Sequence, residues 1–168
     1  MLETFISAVL RLLVIVGLPA LFVVFVLKGA IIGKPIPATV ILPGYVLAVS
    51  NSPLETAGIV LVTAIGSTLG QLFVYISARR RGTSFIQSAP RVTISEAKLE
   101  RGEELFKTYG GAGIFFSNLV PYLRGLILIP AGIAEYPLGR TVVYAFVSTL
   151  LYHAAVVVFV LWLVRLLF

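Results

Sequence analysis

The sequence predicts an all-α membrane protein of a single domain, residues 1–168. Its expected parts are three transmembrane helices, two re-entrant hairpins in an inverted-topology repeat and one amphipathic cytoplasmic helix. Three observations lead there. Hydrophobic residues make up 59% of the chain and charged residues only 12%, with a mean hydropathy of +1.05; soluble domains run near ~45–50% and ~25%. Long uncharged apolar stretches recur, and a hydrocarbon core of ~30 Å needs ~20 apolar residues as a helix. Two further apolar stretches are broken by clustered proline and glycine. Such a composition excludes a disordered chain, a nucleic-acid-binding domain and an ordinary soluble enzyme. The net charge of +6 fits the positive-inside rule and anionic headgroups better than nucleic acid.

The first element, 5–28, is a transmembrane helix whose apolar run lies between Arg11 and Lys28. It has the look of a signal-peptide core but is longer, so it is read as a retained anchor. Residues 30–50 hold Gly33, Pro35, Pro37, Pro43 and Gly44. Proline removes a backbone donor and clashes with the preceding turn. Broken backbone at membrane depth is tolerated only inside protein or beside water, so this stretch is a re-entrant hairpin. Residues 54–78 carry no charge after Glu55 and form the second transmembrane helix. The polar segment 79–110 contains Thr93-Ile94-Ser95-Glu96, which fits a capping box, and then Leu99, Gly102, Leu105, Phe106 and Tyr109 on one helical face. It reads as an amphipathic helix on the membrane surface, with a solvated linker helix as the alternative. Residues 111–133, with Gly111, Gly113, Pro121, Gly125, Pro130 and Gly132, are the second hairpin, and uncharged 141–164 is the third transmembrane helix.

The two hairpins repeat. Pro37 precedes Pro53-Leu54 by 16 residues, and Pro121 precedes Pro137-Leu138 by the same 16, a shift of 84 between copies. Segment 79–110 carries seven Lys/Arg, which places it, and with it the N-terminus, in the cytoplasm of a multi-pass cell-membrane protein. Lys28, Lys34 and Arg165 then lie outside. The copies are thereby inverted, and inverted repeats with broken helices meeting near the midplane are a transporter signature.

Few residues offer chemistry. There is no cysteine and no aspartate, one histidine, and seven glutamates that all lie outside the apolar runs. That leaves no metal set, no paired carboxylates and no nucleophile–base pair, so no enzyme and no cofactor are expected. Arg124 is an ionisable residue deep in an apolar segment, a costly placement that ordinarily faces a cavity or a partner. With no intramembrane acid, its five-donor fork suits a ligand phosphate or carboxylate; snorkelling, or bonding to hairpin carbonyls, is the other reading. Thr63, Ser67, Gly70 and Gln71 share one side of 54–78, and Tyr144, Ser148 and Tyr152 one side of 141–164. These stripes either line a headgroup path or bond between helices. His153 is either a satisfied buried histidine or a proton relay. Gly66 and Gly70 form a small-xxx-small pair that argues close helix contact.

Several segments resemble the DedA (VTT, or SNARE-associated) family over roughly residues 28–150. Pro35-Ile36-Pro37-Ala38-Thr39 and Leu42-Pro43-Gly44-Tyr45 match the family's first hairpin. Gly66, Gly70, Gln71, Tyr75 and Gly82 match its next helix. Phe116, Asn118, Pro121 and Arg124, with Ala131-Gly132 behind, match its second hairpin, and Phe106 to Gly110 has the family's look. The family's acids correspond to Thr39, Gln71 and a position near Lys28 or Gly29, and its first hairpin arginine to Asn118. The resemblance implies a transporter moving a phosphate-bearing lipid, polyisoprenyl phosphate or phospholipid, between leaflets by flippase or scramblase action, with proton coupling through the family's acids; because Thr39 and Gln71 stand at those positions here, no coupling through a carboxylate is expected. It implies a substrate path of Arg124, Asn118, Pro121, Thr39, Pro37, Gln71 and Tyr75, to which Lys34 and His153 are added. The expected partners are membrane lipids and, to complete the seal, a second copy of the chain. A small-ion or metabolite transporter and a non-transporting assembly subunit are the alternatives.

Overall fold

The computed structural model describes residues 15–30, 38–82, 104, 106–120 and 123–167, and every regular element among them is helical. The main helices are α1 (Leu18–Gly29), α2 (Ala38–Val49), α3 (Pro53–Arg81), α4 (Gly111–Leu119), α5 (Leu128–Ile133) and α6 (Leu138–Leu167). Two of them, α3 with 29 residues and α6 with 30, are long and apolar enough to cross a membrane. At ~1.5 Å per residue each outruns a ~30 Å apolar core.

Both long helices exceed their expected bounds. Ser52 caps α3, accepting from Glu55 N at 3.2 Å, while Glu55 Oε2 accepts from Asn51 N at 2.7 Å. This reciprocal arrangement, with Pro53 in the first turn, begins the helix one residue before position 54. Its other end runs through Arg79, Arg80 and Arg81, cations that complement the negative end of the macrodipole. It stops at Gly82, whose φ of 57° suits glycine. Helix α6 starts directly after Pro137, where Thr141 N and Oγ1 both donate to the Pro137 carbonyl.

Helix α1 supplies the C-terminal part of the first expected span; Gly17, at φ 77°, interrupts the helix just before it, and residues 5–14 lie outside the described residues. Of the first hairpin, 38–49 is one helix with Pro43 inside it, and 31–37 are not described. Residues 106–109 of the amphipathic segment are helical; most of the rest is not described. The second hairpin region is broken as its prolines and glycines require. Helix α4 ends at Val120, held extended at φ −95° and ψ 117°, as expected of a residue before proline. Turns at 123–127 follow, and Gly125 adopts φ 77° before α5.

The long helices are antiparallel. Hydrogen bonds pair Thr63 with His153 and Gln71 with Thr149, so numbers rise along α3 as they fall along α6. One apolar cluster joins Leu21, Phe25, Ile41, Tyr45, Ile59 and Val157, drawing α1 and α2 onto one half of this pair. Another joins Tyr75, Ile114, Ile127, Leu128 and Ala145, drawing α4 and α5 onto the other half. Close approach of α1 to α3 depends on the small pair: a Cβ at Gly66 would stand 2.9 Å from the Phe22 carbonyl oxygen, and one at Gly70 would collide with the backbone at Val26. Val143, Val158, Phe159 and Trp162 leave α6 with an apolar outer face, which suits lipid.

Candidate functional site

Between the two apolar clusters the facing sides of α3 and α6 are polar. Thr63, Ser67 and Gln71 on α3, and Ser148, Thr149 and His153 on α6, are all buried. Burying so many polar groups costs free energy unless each is bonded. Among the described residues no buried side-chain nitrogen or oxygen lacks a partner.

The broken segment reaches this layer through Arg124. Its Nη2 lies 3.1 Å from His153 Nε2. A guanidinium has only donors, so the imidazole nitrogen accepts. The ring proton then sits on Nδ1, which donates to Thr63 Oγ1 at 3.1 Å, and the Thr63 hydroxyl donates to the Val60 carbonyl at 2.9 Å. Every donor in this chain has one acceptor, and the chain defines a neutral His153 with its proton on Nδ1. The Arg124 guanidinium also lies 4.6 Å from the Tyr152 ring centre, in cation–π range. Phe25 of α1 meets the His153 ring edge-on at 5.1 Å. One helical turn further along α1 stands half-buried Lys28. Among the described residues the partners of Arg124 are an imidazole and a phenol ring, and no carboxylate is among them.

A second network adjoins the first. Asn118 Nδ2 donates to Gln71 Oε1 at 3.0 Å and to Ser148 Oγ at 3.1 Å. Asn118 Oδ1 accepts from Gly125 N at 3.1 Å, and Gln71 Nε2 donates to Thr149 Oγ1 at 3.2 Å. Asn118 thus satisfies the amide next to Arg124 in the turn and fixes the base from which the guanidinium projects.

The expected site residues are therefore only partly assembled. Arg124 and His153 touch, and Asn118 and Gln71 touch beside them. Tyr75 lies one turn further along α3; its hydroxyl donates to the Tyr136 carbonyl and accepts from Arg79 Nη1 at 3.2 Å. Thr39 is exposed at the start of α2. Lys34, Pro37 and Pro121 lie outside the described residues. Lys28 was legible as the charged boundary of an apolar run and as a neighbour of one of the family's acidic positions, not as part of the site. Tyr152 and Thr63 were legible only as members of polar stripes.

Two membrane-length helices with a buried polar layer between them, reached by the arginine of a broken helix pair, define a helical membrane protein. The chain belongs to the VTT-domain (DedA) family, whose model matches residues 19–162. The uncharacterized membrane protein YkoX of Bacillus subtilis is 33% identical over 116 residues, covering 68% of this chain and 52% of that one. The undecaprenyl phosphate transporter A of the same organism is 30% identical over 109 residues, covering 64% and 55% respectively. An alkaline phosphatase-like protein of Lactococcus lactis is 28% identical over 141 residues, covering 80% and 66%. The chain spans about half the length of the two Bacillus relatives. No solved structure matches it. This is a membrane protein of a family with named transporters, in keeping with the expectation that it is not an enzyme.

Proposed function

We propose that this protein carries a phosphate-bearing lipid between the leaflets of the cell membrane. In this reading the headgroup passes through the polar layer between α3 and α6 while the tails stay in lipid. The observation that carries it is Arg124, a half-buried cation that opened backbone brings onto buried His153, with no acid against it among the described residues. Such a placement is costly unless anion or water reaches the charge. The transporter relative supports lipid phosphate as the cargo. Asn118 and Gln71 shape the path by holding the turn; Thr39, Lys34, Pro37 and Pro121 are its further proposed members. The phosphatase-like relative does not redirect the reading, because one histidine and no cysteine or aspartate leave little with which to build a hydrolytic centre.

The decisive measurement is flipping in proteoliposomes of phosphatidylcholine doped with a fluorescent polyisoprenyl phosphate. Protein-containing vesicles are expected to expose the inner-leaflet probe to an external quencher faster than empty ones. Equal rates would favour the non-transporting assembly subunit, a reading helped by the commitment of the Asn118 and Gln71 amides to protein partners.

The proposed topology has residues 30–50 and 111–133 re-entering from opposite sides, with the N-terminus and 79–110 cytoplasmic. The grouping of α1 and α2 on one half of the α3–α6 pair, and of α4 and α5 on the other, supports an inverted repeat. Cysteines placed singly at Ile32 and Ser50 should label from the same side of the membrane. Labelling from opposite sides would make 30–50 a span and remove the repeat.

A further inference from the structure

His153 is buried where four parts of the chain meet, and its ring accepts a hydrogen bond from a cation. Around it stand Phe25 and Lys28 from α1, Thr63 from α3, Arg124 from the broken segment and Tyr152 from its own helix. Tyr45 of α2 lies in the apolar cluster that contains Phe25. The carboxylates of the described residues are engaged or exposed elsewhere. Glu55 accepts from Asn51 N, Glu135 pairs with Arg79 at 3.6 Å, and Glu104 is exposed.

In this arrangement Nε2 has no room for a proton. A protonated ring would set its Nε2–H against an Arg124 N–H, donor against donor, and Nδ1 already spends its proton on Thr63. The lone pair on Nε2 is released only when Arg124 turns its fork to another acceptor. A phosphate that takes the guanidinium edge carrying Nη2 is the stronger competitor, since charge-assisted bidentate bonds to guanidinium exceed a single bond to a neutral ring. A bound phosphate also brings negative charge beside the freed nitrogen, and an adjacent opposite charge favours the protonated imidazole.

We propose that His153 is the proton-linked positioning residue of this site: in apo protein it holds Arg124 from Nε2, and capture of a phosphate by Arg124 is coupled to protonation of His153. The inference rests on the reading of Arg124 as a phosphate ligand. The proton comes from solvent, an Nε2–H bond forms, the ring passes from neutral to cationic, and no other bond changes. The neutral ring holds the guanidinium in wait; the charged ring becomes a further donor to the captured anion. The cargo then crosses the polar layer as an anion plus one proton.

The test uses the full chain in phosphatidylcholine nanodiscs and farnesyl phosphate as the probe. Near pH ~8 the probe is already dianionic, since the second ionisation of such a monoester lies near ~6. Titration calorimetry in two buffers of different ionisation enthalpy reads the protons taken up. Net proton uptake on binding is expected, and with it a loss of affinity as pH rises. His153→Gln keeps an acceptor for Arg124 and a donor for Thr63 but cannot titrate, so its binding should weaken, lose its pH dependence and show no uptake. A second measurement needs no variant. The chain has one histidine, so ring-¹⁵N labelling reports His153 alone. Its spectrum should show the Nδ1–H tautomer in apo protein and the imidazolium with farnesyl phosphate bound. Binding with buffer-independent heat, an unchanged ring spectrum, or uptake that survives in His153→Gln would each overturn the coupling and leave the anion site standing. No binding by the wild-type chain would overturn both.

Discussion

Arg124→Leu is expected to abolish lipid-phosphate binding and flipping, while Arg124→Lys binds roughly tenfold to a hundredfold more weakly, the equivalent of a charged hydrogen bond. The difference follows from donor geometry: guanidinium presents two parallel N–H bonds to a phosphate, and ammonium a compact, strongly hydrated point charge. Folding is expected to survive both changes. Leucine orphans the His153 Nε2 acceptor, at a cost of about 1–3 kcal/mol, but it also removes a poorly solvated charge and the cost of keeping it in the membrane. The measurement is Kd for farnesyl phosphate in nanodiscs beside the thermal midpoint of each variant. An Arg124→Leu chain that does not fold would make the guanidinium a structural clamp between the turn and α6. Unchanged Kd in both variants would move the phosphate elsewhere, with Lys34 the next cation to test.

Much of the framework was legible because proline and glycine act locally. Clustered breakers in 111–133 predicted an interruption, and the chain is interrupted there by an extended Val120 before Pro121 and a left-handed Gly125. Gly66 and Gly70 predicted a close helix contact, and α1 fills it. Ser52-Pro53-Leu54-Glu55 carried a capping signal that apolar-run length alone passes over, which is why α3 begins earlier than its uncharged core. The site was less legible because its contacts are long-range. Thr63 meets His153 across 90 positions and Gln71 meets Thr149 across 78; no periodicity within either helix announces which stripe faces which. Lys28 sits where any span ends in a cation, so its sequence context reads as a boundary although it stands one turn from Phe25, which meets the His153 ring. Asn118 stands where the family resemblance places an arginine, yet an amide oxygen can accept from a backbone N–H as a guanidinium cannot. The structure uses it that way, through Oδ1.

Asn118→Leu should therefore act first on stability and only through it on binding. The substitution keeps the volume and removes three hydrogen bonds, those to Gln71, Ser148 and Gly125 N. Interhelical hydrogen bonds in membranes average only about 0.6 kcal/mol by double-mutant cycles, so the lost bonds alone make a small effect. The orphaned groups decide the outcome: Gln71 Oε1 and the Gly125 amide stay buried beside an apolar side chain, and an unsatisfied buried group costs about 1–3 kcal/mol. A loss of about 2–4 kcal/mol is expected, a large fraction of the ~5–15 kcal/mol that holds a domain folded. Adding Gln71→Leu removes one orphan, so the double variant should be more stable than the sum of the single losses predicts, by about 0.5–3 kcal/mol. Arg124 reads the same event from the other side. With Gly125 N released, the turn no longer fixes the guanidinium, and affinity for farnesyl phosphate should fall even under conditions where Asn118→Leu remains folded. Asn118→Asp separates the two contributions, because its carboxylate still accepts from Gly125 N but cannot donate to Gln71 or Ser148 and sets a negative charge near Arg124. It should bind more weakly than wild type while holding the turn better than leucine does. Wild-type thermal stability in Asn118→Leu would show that the amide does not hold the turn, and would return the Asn118 side chain to the cargo path.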